Sequence, residues 1–182
     1  MVHKTNYQRA RRTVMNNSSV SALPVAPTLH ILCGKIASGK STLASELAKN
    51  PGTVVLSEDM WLAHLFKETM HSVQDYVHYA AKLRSAIKPH TIALLNAGVS
   101  VVLDFPANTL ASRQWMMSIV NESGAQHLLH YLPVSDEVCK ARLRLRNAAG
   151  EHNFAASDEQ FELITRYFVE PKAEEGFHIR RY

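Results

Sequence analysis

The sequence predicts an α/β fold, a mostly parallel sheet of five strands with helices on both faces. Short apolar runs alternate with longer segments of helical periodicity. A glycine-rich turn stands between the first apolar run and the first helical segment. The 182 residues, 46% hydrophobic and 20% charged, have the composition of one globular domain. Because ligands bind such sheets at the carboxyl ends of the strands, those ends are where we look for a site.

The first 27 residues are predicted to be a flexible basic leader, followed by one domain at residues 28–182. No acidic residue precedes Glu46, and the early basic residues are Lys4, Arg9, Arg11 and Arg12. A basic segment attracts phosphates or nucleic acid, but solvated basic termini are common. Nucleic acid is therefore a possible partner that we do not favour.

The elements follow from periodicity and from their boundary residues. Strands are predicted at residues 29–33, 54–56, 99–103, 127–132 and 177–179. Helices are predicted at residues 41–49, 60–70, 76–96, 110–122 and 135–146, and from Ser157 to near Pro171. Ser157 and Gln160 have capping-box spacing. Pro89 should interrupt or bend the third helix, because proline removes a helical hydrogen bond.

The turn after the first strand matches the pattern G-x-x-x-x-G-K-[ST] at every fixed position. Such a P-loop holds triphosphate oxygens on backbone amides at a helix N-terminus, and glycines let the backbone approach them. Lys40 should reach the β- and γ-phosphates, and the hydroxyl of Ser41 should hold Mg²⁺. The predicted nucleotide-binding residues are Gly34, Lys35, Ile36, Ala37, Ser38, Gly39, Lys40, Ser41 and Thr42.

Several classes of protein share this loop, and the rest of the chain discriminates among them. The N-K-x-D element by which GTPases usually read guanine is absent. The third strand ends in Asp104, but Phe105 follows where a motor ATPase usually carries a glutamate to activate water. Phosphoryl transfer from ATP to a bound acceptor therefore fits better than hydrolysis.

Beyond the loop GKIASGKS, the chain carries SEDMW, VVLDFPANT, RLRLRNAAGEHNF and EPKAEEGFHI. With these motifs, residues 29–182 resemble a family of small P-loop kinases with an AAA-type ATP-binding domain. It groups predicted kinases with zeta toxins, chloramphenicol phosphotransferase, gluconate kinase and the kinase domain of polynucleotide kinase. The resemblance implies ATP as co-substrate, Mg²⁺ as cofactor and a small-molecule hydroxyl as acceptor.

The resemblance also implies a general base just past the second strand. Asp59 is the first choice and Glu58 the second, since a carboxylate near the hydroxyl can accept its proton. Alternatively, these acids only cap the next helix. Asp104 is expected to organise Mg²⁺ or to bind the acceptor, the alternative being a structural hydrogen bond. Asn108 is either an acceptor contact or, as we favour, a helix cap.

A lid is expected at about residues 142–157, as the resemblance implies. Arg142 and Arg146 are four residues apart and share a helix face, whereas Arg144 points elsewhere. Arg142 and Arg146 are therefore predicted to close over the transferring phosphate and neutralise its charge, with Arg146 preferred. The alternative is a solvated basic face.

Histidine, aromatic and cysteine residues elsewhere in the chain have both a functional and a structural interpretation. His64, His71 and His78 lie seven apart, about 10 Å on a helix, too far to share a metal ion. The aromatic residues Trp61, Phe66, Tyr76 and Tyr79 line an acceptor pocket or belong to the core. Two separated cysteines, Cys33 and Cys139, favour reduced thiols in the cytoplasm. No run is apolar and long enough to span a membrane.

Three functions remain open at the level of sequence. The favoured one is an ATP-dependent kinase acting on a hydroxyl of a small molecule. A polynucleotide 5′-hydroxyl kinase is the rival among enzymes, and a non-catalytic ATP-dependent binding module is the rival of another class.

Overall fold

The computed structural model describes residues 26–150 and 156–182. Its five strands are β1 (Thr28–Cys33), β2 (Thr53–Ser57), β3 (Ser100–Asp104), β4 (Gln126–Tyr131) and β5 (Ile179–Arg181). They form one parallel sheet in the order β2-β3-β1-β4-β5, so β1 lies at its centre. The leader predicted at residues 1–27 falls, up to residue 25, outside the described residues.

Six helices are described, together with a short 3-10 turn at Ala173–Glu175. They are α1 (Lys40–Leu47), α2 (Glu58–Phe66), α3 (Val73–Asn96), α4 (Leu110–Ser123), α5 (Asp136–Ala149) and α6 (Asp158–Thr165). In the described ranges, no helix is both long enough and apolar enough to cross a bilayer.

Alternation along the central strand divides the core into two faces. Leu29 and Ile31 of β1 lie in a large cluster that includes residues of α3 and α4. Leu32 points to the other face, where it packs against Ala44 of α1. Because side chains alternate along a strand, β1 is covered on both sides. The predicted α/β class with helices on both faces is thereby confirmed.

The last strand differs most from its prediction at residues 177–179. The observed strand is Ile179–Arg181. Phe177 is only 7% exposed and packs into the main core cluster, while the carbonyl oxygen of His178 accepts a hydrogen bond from the amide of Leu129. Phe177, the apolar residue on which the predicted strand was based, therefore lies just before β5 and packs in the core.

The third helix also departs from expectation. It is continuous from Val73 to Asn96 and includes Pro89, so of the two predicted effects of this proline the interruption does not occur. Pro89 and Ser85 are both exposed, and water can therefore hydrate the carbonyl group that loses its helical partner. The helix begins earlier than predicted because Ser72 and Asp75 form a capping box.

Two other helices are shorter or start earlier than the pattern suggested. Ser57 caps α2, which therefore begins at Glu58 and ends at Phe66 instead of spanning residues 60–70. Ser157 and Gln160 form the predicted capping box of α6, but this helix ends at Thr165, well before Pro171.

Candidate active site

The turn between β1 and α1 adopts a backbone conformation that restricts its residues. Gly39 has a φ of 105° and Ala37 a φ of 59°, in the left-handed region that favours glycine. A Cβ on Gly34 would lie 2.5 Å from Oγ of Ser38 and 3.1 Å from the carbonyl oxygen of Leu132. Both glycines of the motif are therefore required by the shape of the turn.

The ammonium group of Lys40 lies within this turn. Its Nζ donates hydrogen bonds to the carbonyl oxygens of Gly34 and Lys35, each at 2.7 Å. Burial lowers the pKa of Lys40, and the nearby carboxylates of Asp104 and Asp59 act in the opposite direction. The fold thus brings both predicted acids into electrostatic contact with the P-loop lysine.

The N-terminus of α1 is open to an anion. Gly39 is its N-cap, no side chain caps it, and its first turn has no acidic residue. Ser41 and Thr42 are exposed at the same end. The hydroxyl of Ser38 is buried and has no hydrogen-bond partner among the described residues. Since the first amides of a helix carry a partial positive charge, this end suits a phosphate group.

Two acidic side chains lie at or just past the carboxyl ends of neighbouring strands. Ser57 at the end of β2 lies opposite Asp104 in β3, and Asp59 follows two residues later in α2. Oγ of Ser57 accepts a hydrogen bond from the amide of Met60 at 3.4 Å. The serine is therefore the N-cap of α2, so capping alone does not account for Asp59.

Glu58 occupies a different environment from Asp59. Its side chain is 0% exposed, and its carboxylate accepts hydrogen bonds from the hydroxyl of Tyr76 at 2.9 Å and from Nε of Arg84 at 3.1 Å. Burial raises the pKa of Glu58, while Arg84 and the Tyr76 hydroxyl oppose that effect. These contacts argue against Glu58, the second choice, as the base.

Two arginines of α5 that were predicted to belong to a lid lie near the P-loop or near Asp59. Nη1 of Arg142 donates a hydrogen bond to the carbonyl oxygen of Ser38 at 3.2 Å. Arg146 is half-buried, and its Nε lacks a hydrogen-bond partner among the described residues. Burial lowers the pKa of Arg146, and the carboxylate of Asp59 acts in the opposite direction. Arg146 and Asp59 are therefore electrostatic neighbours.

Arg144 turns away from this group and forms an ion pair with Asp158 of α6. Of the lid expected at residues 142–157, residues 151–155 lie outside the described part of the chain. On either side of them, Nδ2 of Asn147 donates a hydrogen bond to the carbonyl oxygen of Ala156 at 2.8 Å. This hydrogen bond joins the two described stretches on either side of residues 151–155.

Helix α5 is joined to the P-loop by charge and by apolar contact. Lys35 forms an ion pair with Asp136 at the start of α5, so its side chain is engaged there. A small apolar cluster joins the loop to α5 and α6; its members are Cys139, Leu143, Phe161, Ile36, Ala37, Val134 and Ala156. Helix α5 therefore packs directly against the P-loop.

Asn108 has a role that sequence reasoning did not assign. Its Oδ1 accepts a hydrogen bond from the amide of Gly34 at 3.0 Å, and its carbonyl oxygen accepts one from the amide of Val169 at 2.8 Å. The cap of α4 is Thr109, so the favoured prediction that Asn108 caps this helix is wrong. The asparagine instead holds the first residue of the P-loop.

Arg113 was also missed, although it is fully buried. It donates hydrogen bonds to both carboxylate oxygens of Glu175, at 2.5 and 2.8 Å, and to the carbonyl oxygens of Ala107 and Val169, at 3.1 and 2.8 Å. Its spacing from Met116, three residues on, and from Val120 would have indicated a buried face of α4. The motif EPKAEEGFHI is thus tied to the loop after β3.

The three spaced histidines near α2 are exposed, whereas the aromatic residues in this region are partly buried. The described residues contain no group of three or more His, Cys, Asp or Glu that suits a metal ion. The aromatic side chains Trp61, Phe66, Tyr76 and Tyr79 are partly buried and pack against the main core cluster. Phe66 and Tyr79 are stacked, with ring centroids 4.4 Å apart. These contacts favour the core interpretation.

Comparison with known proteins identifies the family to which this chain belongs. A family model described as an AAA domain matches residues 29–171, which is most of the chain. No curated protein matches this chain significantly. A candidate kinase from Chloroflexus aurantiacus has a TM-score of 0.69 at 21% identity, covering 86% of this chain and 85% of that chain.

Two further structures share the fold. The APS kinase of Mycobacterium tuberculosis, in complex with AMPPNP and APS, has a TM-score of 0.56 at 19% identity, covering 82% of this chain and 86% of its own. A chain of an RNA repair complex has a TM-score of 0.63 at 23% identity over 82% of this chain, which spans only 46% of that larger chain. The chain therefore belongs to the AAA domain family, and its fold is that of the P-loop kinases.

Proposed function

We propose that the protein is an ATP-dependent kinase that transfers the γ-phosphoryl group to a hydroxyl of a small molecule. The observation that carries this proposal is the grouping of opposite charges around the P-loop. Lys40 interacts electrostatically with Asp59 and Asp104, and Asp59 interacts with Arg146. A phosphoryl transferase needs cations for the phosphates and a carboxylate for the acceptor at one place.

The donor end is the P-loop. The uncapped N-terminus of α1 and the ammonium group of Lys40 are suited to the β- and γ-phosphates. On binding, the Lys40 ammonium exchanges its two bonds to loop carbonyls for bonds to phosphate oxygens. The buried hydroxyl of Ser38 is a further donor for a phosphate oxygen.

The oxygen donors at this end fit Mg²⁺, which prefers hydroxyl, carboxylate and water ligands. The exposed hydroxyl of Ser41 and the carboxylate of Asp104 at the end of β3 are the residues that would hold it. When bound, Mg²⁺ supplies charge that neutralises the phosphate oxygens. Asp104 also stabilises the ammonium form of Lys40.

At the acceptor end, Asp59 takes the proton of the hydroxyl. The acceptor oxygen forms its bond to the γ-phosphorus as the bond between that phosphorus and the bridging oxygen breaks, and ADP leaves. The carboxylate then carries the proton until it passes to solvent. Asp59 is suited to this role because Glu58 is committed to Tyr76 and Arg84.

The lid arginines neutralise charge on the transferring group. Arg146 is the better placed, since it neighbours Asp59 and its Nε has no partner within the described residues. Arg142 already contacts the loop through the carbonyl oxygen of Ser38. Both lie in α5, whose apolar contacts with Ile36 and Ala37 couple it to the loop.

The proposal is tested by offering γ-labelled ATP and Mg²⁺ with sugars, nucleosides, aminoglycosides and 5′-hydroxyl oligonucleotides. We expect label in one small-molecule class, lost by about 100-fold or more in Asp59→Asn, the usual scale for removing a general base. Glu68→Gln, an exposed acid just beyond α2, is the matched control and should keep full activity.

Two other outcomes would assign a different function. Label only in oligonucleotides would favour a polynucleotide 5′-hydroxyl kinase, for which the structural likeness to an RNA repair complex is the supporting observation. Tight ATP binding, no labelled acceptor and equal, slow phosphate release by wild type and Asp59→Asn would favour a binding module.

A further inference from the structure

The N-terminus of α2 is fixed by a buried polar cluster that the proposed reaction does not itself use. Glu58, the residue before Asp59, is 0% exposed and binds two residues of α3. One carboxylate oxygen accepts a hydrogen bond from the Tyr76 hydroxyl at 2.9 Å, and the other accepts one from Nε of Arg84 at 3.1 Å. Nη2 of Arg84 forms an ion pair with that second oxygen, also at 3.1 Å. Both carboxylate oxygens are thus anchored to one helix.

This cluster continues to the strand end that carries Asp104. The guanidinium of Arg84 lies 5.7 Å from the ring centroid of Trp115, and the Trp115 ring lies 5.8 Å from that of Phe105. Phe105 follows Asp104 directly and is 1% exposed. Cation–π and aromatic contacts of this kind stabilise a fixed arrangement of rings.

The carboxylate of Asp59, by contrast, accepts no hydrogen bond within the described part of the chain. The charges of Lys40 and Arg146 act on this carboxylate, and the backbone at the start of α2 sets where its side chain begins. That backbone is fixed on one side by the Ser57 cap and on the other by the side chain of Glu58. Loss of either partner of Glu58 leaves a buried carboxylate undersatisfied, which favours movement of the helix end.

We propose that Glu58, Tyr76 and Arg84 are positioning residues that hold Asp59 against the acceptor hydroxyl. This inference rests on the proposed function, because it assigns a role relative to Asp59 as the base. It also explains why two adjacent acids follow β2: one is buried as an anchor, and the other faces the site.

The anchoring itself can be tested without any acceptor. In Arg84→Met, amide hydrogen exchange should become about tenfold faster at residues 58–62 and remain unchanged at residues 34–42. Lys88→Met is the matched control: it is one turn further along α3, and its partner Glu122 is exposed. Unchanged exchange in α2 would overturn the proposal, whatever the kinase assay gives.

The positioning role is tested with the acceptor class that the labelling panel identifies. Arg84→Met should lower kcat about 10- to 100-fold, the scale of a misplaced reacting group, while KM for ATP stays unchanged. Arg84→Lys, which keeps the charge, should recover part of the loss. In an Asp59→Asn background the Arg84 effect should vanish, whereas an equal loss in that background would overturn the positioning role.

A milder pair of variants guards against loss of folding. Tyr76→Phe removes one hydroxyl from the cluster and should give the same changes at smaller size, while Tyr79→Phe on the same helix should give none. If wild type labels no acceptor, the proposed function fails separately, and the exchange result still decides whether the cluster anchors α2.

Discussion

Replacing Arg113 with methionine tests the tie between α4 and the C-terminal segment. Methionine is long enough to fill the apolar part of the space but removes every hydrogen-bond donor. Four hydrogen bonds are lost, two of them to Glu175, which is 12% exposed. Breaking one side of a buried ion pair costs about 3–5 kcal/mol. Because water can reach part of Glu175, we expect about 3 kcal/mol.

The measurement is urea unfolding of Arg113→Met, Glu175→Gln and the double variant at neutral pH. Each single variant should lower the free energy of unfolding, and the double variant should lower it by less than the sum of the two. The reason is that the second substitution removes a side chain whose ion-pair partner is already gone. Arg144→Met is the matched control, since its ion pair with Asp158 is at the surface and should contribute about 1 kcal/mol or less. A loss below about 1 kcal/mol for Arg113→Met, or additive losses, would show that this ion pair does not hold α4 to the C-terminal segment.

Three other variants test separate parts of the site and the sheet. Gly34→Ala should weaken binding of a fluorescent ATP analogue at least about tenfold, because its Cβ would meet Ser38 Oγ at 2.5 Å; wild-type affinity would contradict this. Asn108→Ala should also weaken that binding, by a smaller factor, with the secondary structure unchanged by circular dichroism; full affinity would show that its bond to the loop is dispensable. Burial, with a smaller contribution from His30, lowers the pKa of His130 from 6.5 to about 4. As pH falls below about 6.5, His130 binds a proton in the unfolded chain, but in the folded chain it does so only near pH 4. The free energy of unfolding should therefore fall by roughly 1–3 kcal/mol between these pH values and then level off. Urea unfolding at several pH values should show a shallower fall in His130→Asn, and equal slopes would count against it.

Local signals predicted the fold well. The periodicity of apolar residues predicts the order of strands and helices. The spacing of two glycines and a lysine, which the turn requires, predicts the P-loop. The backbone of the turn requires glycine at Gly34 and Gly39, so the sequence motif locates the turn. The start of α6 at Ser157 could be predicted for the same reason: a capping box lies within four residues.

Long-range polar contacts were the part that sequence alone did not predict. Arg113 and Glu175 are 62 residues apart, and Glu58 and Arg84 are 26 apart, so no local pattern joins them. Propensity also cannot distinguish two adjacent acids when only tertiary packing decides which one is buried. Whether Pro89 interrupts the helix depends on its exposure, which lets water bind the carbonyl group left without a partner and which is set by the neighbouring elements.

The central claim is that the γ-phosphoryl group passes to a hydroxyl and not to water. It is tested most directly by following ATP, Mg²⁺ and the labelled acceptor class with ³¹P NMR in one reaction. We predict that one phosphomonoester forms for each ADP, with little inorganic phosphate and with both products nearly absent in Asp59→Asn. Inorganic phosphate formed in step with ADP, at equal rates in both proteins, would contradict it.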